Sequence, residues 1–364
     1  MLKEIGSNFW INPNTKLIDK EIQPPIQFGC EGKDFVWLSS GRSAIRFVIK
    51  TILERNPSHV KSVLLPPFTC NTVIDPFVEA GYEIHYYNID KNLNIKINLL
   101  LDNVLAKRVG IVLYHRYFGF DTLSGNIDQL EKIRKSGIII IEDCTQCLYS
   151  NFNKQLSDYT IGSVRKWFGI PDGGFAVCAN GSFIDKPTSY DETLEKAKKI
   201  ASFNKYKYLF ESIGEKSQYL QQFRDAEEIL DKQRDWYSIS DFSVKLQNNI
   251  DVAELSHKRF DNFNTLLNNF PNCTKIEPLF KHIDREITPL YFPIIVEDRT
   301  SLQQYFTNND IYAPVIWPKP KYQPIVCDNA EYLYEHLLCI PIDQRYSKED
   351  MNRVISVLQE YDHQ

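Results

Sequence analysis

Lys166 stands in the stretch SVRKWFGIPDGG, Ser163–Gly174, between an arginine and a tryptophan and just ahead of a Pro-Asp-Gly-Gly turn. A lysine set in a partly buried pattern is a candidate for covalent chemistry, because desolvation lowers its pKa and frees its amine as a nucleophile. Set on the surface, it is an ordinary solvated side chain. Ser163, on the same stretch, could hold a phosphate oxygen, and Gly173-Gly174 would let the backbone pass close to a ligand. Asp143 ends the apolar run GIIIIED, Gly137–Asp143. A carboxylate there is partly desolvated and needs a partner. It either caps a helix starting at Cys144 or pairs with a protonated ring nitrogen. Gln146 lies three residues on, about one helical turn away. It is either a plain first-turn glutamine or a donor to an oxygen on that same ring. Ser40-Gly41-Arg42-Ser43 joins a glycine turn to a helix start, which is a ready anion site from free N–H groups and the helix dipole, or only a connection.

These residues need elements to bring them together. In the first half of the chain, near-continuous apolar runs alternate with amphipathic stretches. FVWL, SVLL, EIHYYNID, GIVLY, GIIIIED and GGFAVC read as strands. RSAIRFVIKTILER puts Ile45, Val48, Ile49 and Ile52 on one helical face. NTVIDPFVEAG and NIDQLEKIRKSG read as helices that stop at Gly81 and Gly137. Apolar strands separated by amphipathic helices mean an α/β fold whose sheet is mostly parallel with helices on both faces. Ligands in such folds bind beyond the carboxyl ends of strands, so the Ser39–Arg42, Thr69–Asn71 and Asp143 ends are expected to face one crevice. Residues 181–235 are charged and helical in pattern, an insert. From Ser240 a long amphipathic helix is expected, then a strand in TPLYFPIIV, a short strand in LLCIPI, and a last helix capped by Ser347. The expected division is a large domain over 1–235 and a smaller α+β domain over 236–364. The first 25 or so residues are expected to pack on the small domain or at a subunit interface.

The chain has 364 residues, with 43% apolar and 24% charged, which suits a soluble globular protein. A net charge of -5 without a basic block argues against nucleic acid as the main partner. No apolar run approaches the roughly 20 residues of a membrane span, and MLKEIGSNFW is no signal peptide. Eight cysteines without regular spacing read as reduced thiols in the cytoplasm. Cys144 and Cys147 form a C-x-x-C, but no second pair or histidine follows at zinc-site spacing, so no metal is expected.

A phosphate cradle, a carboxylate for a pyridinium nitrogen, a ring-oxygen donor and a Schiff-base lysine together make the parts list for pyridoxal phosphate. The sequence resembles the DegT/DnrJ/StrS-type sugar aminotransferases, pyridoxal-phosphate enzymes of the aspartate aminotransferase superfamily. The likeness runs through SSGRSAI, VLLPPFTCNTVIDPFVEAGYEIHYYNID, IIIIEDCTQC, SVRKWFGIPDGGFAV and LLCIPIDQRYSKEDMNRVISVL, in the family's order. It implies fold type I, with a seven-stranded, mostly parallel sheet flanked by helices. It implies Lys166 as the Schiff-base lysine and proton carrier, and Asp143 on the ring nitrogen. Gln146 would meet the ring oxygen, and Gly41, Arg42 and Ser163 would lie near the phosphate.

The departures from the family pattern are specific. Cys70 stands where the family places an aromatic stacked on the cofactor ring. Arg42 replaces the phosphate-turn threonine. Ser163 lies three residues before the lysine rather than five. RDWYSIS, Arg234–Ser240, occupies the place of an Asn-Tyr-Arg stretch. The resemblance implies an aminotransferase that moves an amino group, from L-glutamate, to a nucleotide-linked keto-deoxysugar for surface polysaccharide, glycoprotein or secondary-metabolite synthesis. It also implies a homodimer. Two alternatives stand beside it: a sugar dehydratase or other lyase using the same cofactor, and a non-catalytic sensor or scaffold. His115 and Arg116 could touch substrate or form a surface turn, and Trp317 could line a sugar site or simply pack.

Overall fold

The structure, a computed structural model, describes residues 4–20, 33–96, 108–123, 125–152, 156–321 and 327–362. Cys30 lies outside the described residues, as does part of the N-terminal stretch. The fold is α/β, with a seven-stranded, mostly parallel sheet flanked by helices. In spatial order its strands are Asp34–Leu38, Gly174–Cys178, Tyr159–Ser163, Ile139–Asp143, Ile111–His115, Ser62–Leu65 and Glu83–Tyr86. Six of these come from the apolar runs read above. The seventh, Tyr159–Ser163, carries YTIGS, whose threonine, glycine and serine give no continuous apolar signal. The chain packs as two compact units, drawn differently from a single cut in the sequence.

One unit comprises 1–7, 60–156 and 252–364. Its strands Ser62–Leu65, Glu83–Tyr86, Ile111–His115 and Ile139–Asp143 pair in parallel. The register sets His115 directly beside Asp143. Both strands are almost fully buried, which is why they read as unbroken apolar runs. A three-stranded antiparallel sheet orders Leu337–Ile340, Phe292–Val296 and Ile276–Pro278. One continuous apolar core joins residues of the 60–156 segment, such as Leu64, Val112 and Ile140, to Phe292, Leu338 and Val354. Ile5–Gly6 pairs in parallel with Ile311–Tyr312. Gly6 must be glycine: at φ +97° a Cβ there would lie 2.4 Å from the Tyr312 carbonyl oxygen. The last helix, Lys348–Asp362, begins where the Ser347 N–H and hydroxyl both donate to the Asp350 carboxylate.

The other unit comprises 8–59 and 157–251. Asp34–Leu38 and Tyr159–Ser163 flank Gly174–Cys178, both antiparallel to it. The helix Gly41–Arg55 packs on these strands, with Ala44, Phe47 and Val48 fully buried. The charged stretch expected to be helical forms a hairpin, Glu192–Tyr206 and Lys216–Lys232, joined through one wide π-helical turn at Lys207–Glu211. Asp191 caps its first helix by accepting the Leu194 N–H at 3.0 Å. The single long helix expected from Ser240 is instead two. Ser240 caps Asp241–Gln247, and Val252–Asn268 follows across Asn248–Asp251. Consecutive Asn248 and Asn249, with Asp251 before the second helix, favour turn and cap conformations over helix interior.

Candidate active site

Asp143 closes the strand Ile139–Asp143 with its side chain 8% exposed. The helix expected at Cys144 is absent; a chain of turns follows, with Cys147 N–H on the Cys144 carbonyl at 2.9 Å. Asp143 Oδ1 accepts the Thr145 N–H at 3.0 Å. Its Oδ2 lies 3.4 Å from His115 Nδ1. His115 is also buried, and its Nε2 meets Thr69 Oγ1 at 2.7 Å. Burial pushes the imidazole below its ordinary pKa, although Asp143 pulls the other way. A neutral ring with its proton on Nδ1 turns that proton toward Asp143 and leaves Nε2 to accept from Thr69. The surface-turn reading of His115 and Arg116 is therefore corrected. Parallel register delivers His115 to Asp143, and Arg116 is buried with Nη1 donating to Glu142 at 2.8 Å.

Gln146 belongs to the same group. Its Oε1 accepts the N–H of Phe118 at 2.9 Å. Phe118 has φ 55°, a left-handed conformation rare for a bulky residue, and Gly119 follows at φ +95°. A Cβ on Gly119 would lie 2.3 Å from the Thr288 carbonyl oxygen, so the strained turn is pressed against 288. With its carbonyl committed to Phe118, Gln146 has its amide NH₂ as the group that can donate to a ligand. Cys70 sits at the start of the helix Asn71–Glu79, half-buried, and its Sγ accepts from Thr72 Oγ1 at 3.2 Å. It offers no aromatic face. The aromatics of this neighbourhood come from further along the chain. Trp317 packs against Phe68 at 5.1 Å and His115 at 5.7 Å between ring centroids. Neither thiol of the C-x-x-C is in a disulfide, both are buried, and burial with the nearby Glu142 pushes Cys147 far up. They are inert core thiols.

The second unit holds Gly41, Arg42, Ser163 and Lys166. Ser40, in extended conformation, caps the helix Gly41–Arg55 by accepting the Ser43 N–H at 3.1 Å. Ser39 and Ser40 both hydrogen-bond the Ser43 hydroxyl, at 3.0 and 3.1 Å. The turn lies hard against the strand Gly174–Cys178. A Cβ on Gly174 would sit 2.2 Å from the Ser40 carbonyl carbon and 2.8 Å from the Gly41 nitrogen. Glycine at 174 is thus what lets a helix N-terminus with free N–H groups stand at this place. Ser163 Oγ donates to the Gly173 carbonyl at 3.2 Å. Arg42 turns its guanidinium away to Asp231 at 2.8 Å and to the Leu230 carbonyl at 3.3 Å. Only its backbone remains with the turn.

Lys166 ends a short 3-10 turn, Val164–Lys166. Val164 and Trp167 are wholly buried, and Lys166 itself is exposed. The buried flanks are as the pattern suggested; the lysine is not. Three residues per turn send Val164 and Trp167 inward together and leave the position between them outside. What the sequence did not signal is the cluster beside it, where Glu227 meets Arg165 at 2.9 Å and also Lys198.

Each donor set, taken by itself, suits one part of pyridoxal phosphate. Asp143 is a buried acceptor beside a neutral imidazole, suited to a protonated ring nitrogen. Gln146 retains a donor for a ring oxygen. The Gly174-backed helix start suits a phosphate, and Lys166 is a primary amine on a short 3-10 turn. Among the described residues, no group of three or more His, Cys, Asp or Glu is arranged to hold a metal ion, and no helix is long and apolar enough to cross a membrane.

Residues 30–187 match the model of the DegT/DnrJ/EryC1/StrS aminotransferase family. No curated protein matches the chain in sequence. Among solved structures, the chain is similar to Helicobacter pylori PseC, an aminotransferase involved in pseudoaminic acid biosynthesis. The identity is 14%, covering 99% of this chain and 100% of that one, with a TM-score of 0.69. It is similar to Streptococcus pneumoniae Spr1654 in its PLP form, at 16% identity over 96% and 93% of the two chains, with a TM-score of 0.66. It is also similar to the sugar aminotransferase CalS13 of Micromonospora echinospora, at 15% identity over 90% and 87%, with a TM-score of 0.62. At these identities the structural likenesses establish the shared fold.

Proposed function

We propose that the chain, whose residues 30–187 match the model of the DegT/DnrJ/EryC1/StrS aminotransferase family, is a pyridoxal-phosphate-dependent aminotransferase acting on a nucleotide-linked keto-deoxysugar with L-glutamate as amino donor. The observation that carries this reading is the matched stretch itself. It contains Gly41, Arg42, Cys70, Asp143, Gln146, Ser163 and Lys166. Bound pyridoxal phosphate supplies a carbonyl carbon open to amines and a ring that takes up electron density.

The protein's own groups do the rest. Lys166 Nζ would hold the cofactor and would take the proton from the donor's Cα. It later returns a proton to the sugar carbon that gains the amino group. The balance is glutamate plus keto-sugar giving 2-oxoglutarate plus amino-sugar. Asp143 holds a proton at the ring nitrogen, and His115 holds Asp143 in place while Thr69 holds His115. Gln146 donates to the ring oxygen. Backbone N–H groups at Gly41 and Arg42, with Ser163, would hold the phosphate, and Cys70 would supply no aromatic face for the ring. The active form is a cytoplasmic homodimer, and the product feeds surface polysaccharide or related glycan synthesis. All the cofactor motifs lie in 1–235, the segment read from the sequence as the large domain.

The test is an absorption spectrum of the purified protein with and without added pyridoxal phosphate, beside Lys166→Ala. The expected result is a near-visible band that survives dialysis, is fixed by borohydride, and is lost or altered in the variant. Glutamate should bleach it and release 2-oxoglutarate. A wild-type protein that shows no band in excess cofactor overturns the reading.

A further inference from the structure

The stretch Arg234–Ser240, which departs from the family pattern, holds the two turns assigned to the phosphate and the lysine. The Tyr237 carbonyl accepts the Ser39 N–H at 2.9 Å, where the chain enters the phosphate turn. Ser240 grips Asp172, on the turn after the lysine: its N–H donates to Oδ2 at 3.0 Å and its hydroxyl to Oδ1 at 2.8 Å. The Asp172 N–H in turn reaches Ser243 Oγ at 3.4 Å. All three residues are at most 1% exposed. Burial pushes the Asp172 carboxyl up, and Ser243 and Ser240 pull it back. A carboxylate so desolvated depends on its donors. Gly173 carries the hold onward. Its N–H donates to the Ser39 carbonyl at 2.8 Å, and its carbonyl accepts the Val164 N–H and the Ser163 hydroxyl, both at 3.2 Å. At φ +145°, a Cβ on Gly173 would lie 2.5 Å from Val164 Cγ2 and 3.5 Å from Ile239 Cδ1. One residue, fitting there as glycine, thus bonds the entrance to the phosphate turn and the first residue of the lysine turn.

We propose that Asp172 is a positioning residue: held by Ser240, it fixes Gly173 as a joint between the turn at Ser39–Arg42 and the turn at Val164–Lys166, so that a phosphate captured by the first also steadies the second. The chain of contacts is continuous. A phosphate on the Gly41 and Arg42 N–H groups fixes the backbone that bears the Ser39 carbonyl, and that carbonyl holds the Gly173 N–H. The Gly173 carbonyl holds Val164, at the start of the turn that ends in Lys166. Lys166 is exposed, so the backbone beneath it, rather than packing of its side chain, sets where its amine stands. Every residue of the joint lies in the same compact unit. A ligand that orders one end of a bonded network lowers the cost of ordering the other. The stretch that departs from the family pattern therefore serves both attachment points of the cofactor.

The identity of the anion rests on the aminotransferase reading, so the experiment uses inorganic phosphate and the cofactor-free full chain. Amide hydrogen exchange is followed by mass spectrometry for the wild type, Asp172→Ala and Asp172→Asn, with and without phosphate. In the wild type, phosphate is expected to slow exchange in peptides covering 39–46 and 164–169, with one concentration dependence. Slowing confined to 39–46 overturns the proposal. Asp172→Ala leaves the Ser240 N–H without its acceptor. It is expected to keep the slowing at 39–46 and lose it at 164–169. Ser163 is untouched in this variant, so a direct hold of phosphate on the lysine turn would survive there and overturn the proposal. Without phosphate, Asp172→Ala should exchange about tenfold faster at 164–169, with peptides covering 192–206 unchanged. Equal acceleration at 192–206 would mean general loosening and overturns the proposal as well. Asp172→Asn keeps an acceptor for the Ser240 N–H, so it should change in the same direction by less. It decides the matter if Asp172→Ala fails to fold: slowing at 164–169 as strong as in the wild type overturns the proposal. If phosphate slows neither stretch in the wild type, the phosphate turn of the aminotransferase reading has failed. Faster exchange at 39–46 and 164–169 together in Asp172→Ala then upholds Asp172 as the support of the joint, and unchanged exchange at either overturns it.

Discussion

At the scale of single residues, the sharpest consequence concerns His115. Its imidazole is buried and held below its ordinary pKa by desolvation, with Asp143 as partner. The unfolded chain takes up this proton near pH 6.5, and the folded chain resists it. Below about pH 6.5 the unfolded state therefore binds more protons, so this group's part of the stability falls as pH falls toward the folded-state value. His115→Asn should flatten the fall by up to about 1.4 kcal/mol per pH unit across that window. Urea unfolding of both proteins at stepped pH measures it; parallel slopes would mean that His115 is not the buried neutral group. The same residue shows what the sequence conceals. Lys166, Asp143 and Gln146 stand out as candidates in the sequence because they lie at or just past a strand end, or ahead of a glycine turn, where composition changes abruptly. His115 also ends an apolar strand, but its importance depends on the parallel register that sets it beside Asp143. Glu227 and Lys198 were not legible, because their pairing joins two helices and a turn far apart in the chain.

At the scale of elements, the start of the helix Gly41–Arg55 depends on a residue it does not contain. Gly174 opens its strand with the Ser40–Gly41 backbone so close that any Cβ would overlap it. Gly174→Ala must push the turn away or distort the strand, at a cost of about 1–3 kcal/mol in unfolding free energy. It should also weaken retention of pyridoxal phosphate, read as faster loss of the bound cofactor on dialysis. A stable variant that retains cofactor normally would show that the turn tolerates displacement and that the phosphate is held elsewhere. The strands that read as unbroken apolar runs, such as Ile111–His115 and Ile139–Asp143, are almost fully buried, and their apolar signal survives without knowledge of their neighbours. Tyr159–Ser163 is equally buried, but it achieves this with Thr160, Gly162 and Ser163, so its pattern is silent. The break at Asn248–Asp251 was hidden for a related reason: the apolar period resumes on the far side, and only the propensity of the intervening Asn and Asp residues marks it.

At the scale of the whole molecule, the proposed site residues fall in two compact units, each built from separated stretches of chain. Asp143, Gln146 and Cys70 belong to one, and Gly41, Arg42, Ser163 and Lys166 to the other. A linear division could not show this, because the 252–364 segment shares one core with 60–156 rather than folding apart from it. If one cofactor engages both sets, its binding energy is available to both units. At a ligand concentration of about 100 times Kd, binding stabilises the folded state by about 2.7 kcal/mol. Hydrogen exchange followed by mass spectrometry should then show pyridoxal phosphate slowing exchange in peptides covering 139–150 and in peptides covering 39–46 and 163–174 together, with the same concentration dependence. Lys166→Ala should retain the pattern at a higher midpoint concentration, since it removes the covalent bond but leaves Asp143, Gln146 and the phosphate turn. Protection confined to 39–46 and 163–174 would mean that phosphate and lysine alone hold the ligand. Asp143 would then have no ring nitrogen to serve, and the assignment of the electron-accepting chemistry to this chain would fall with it.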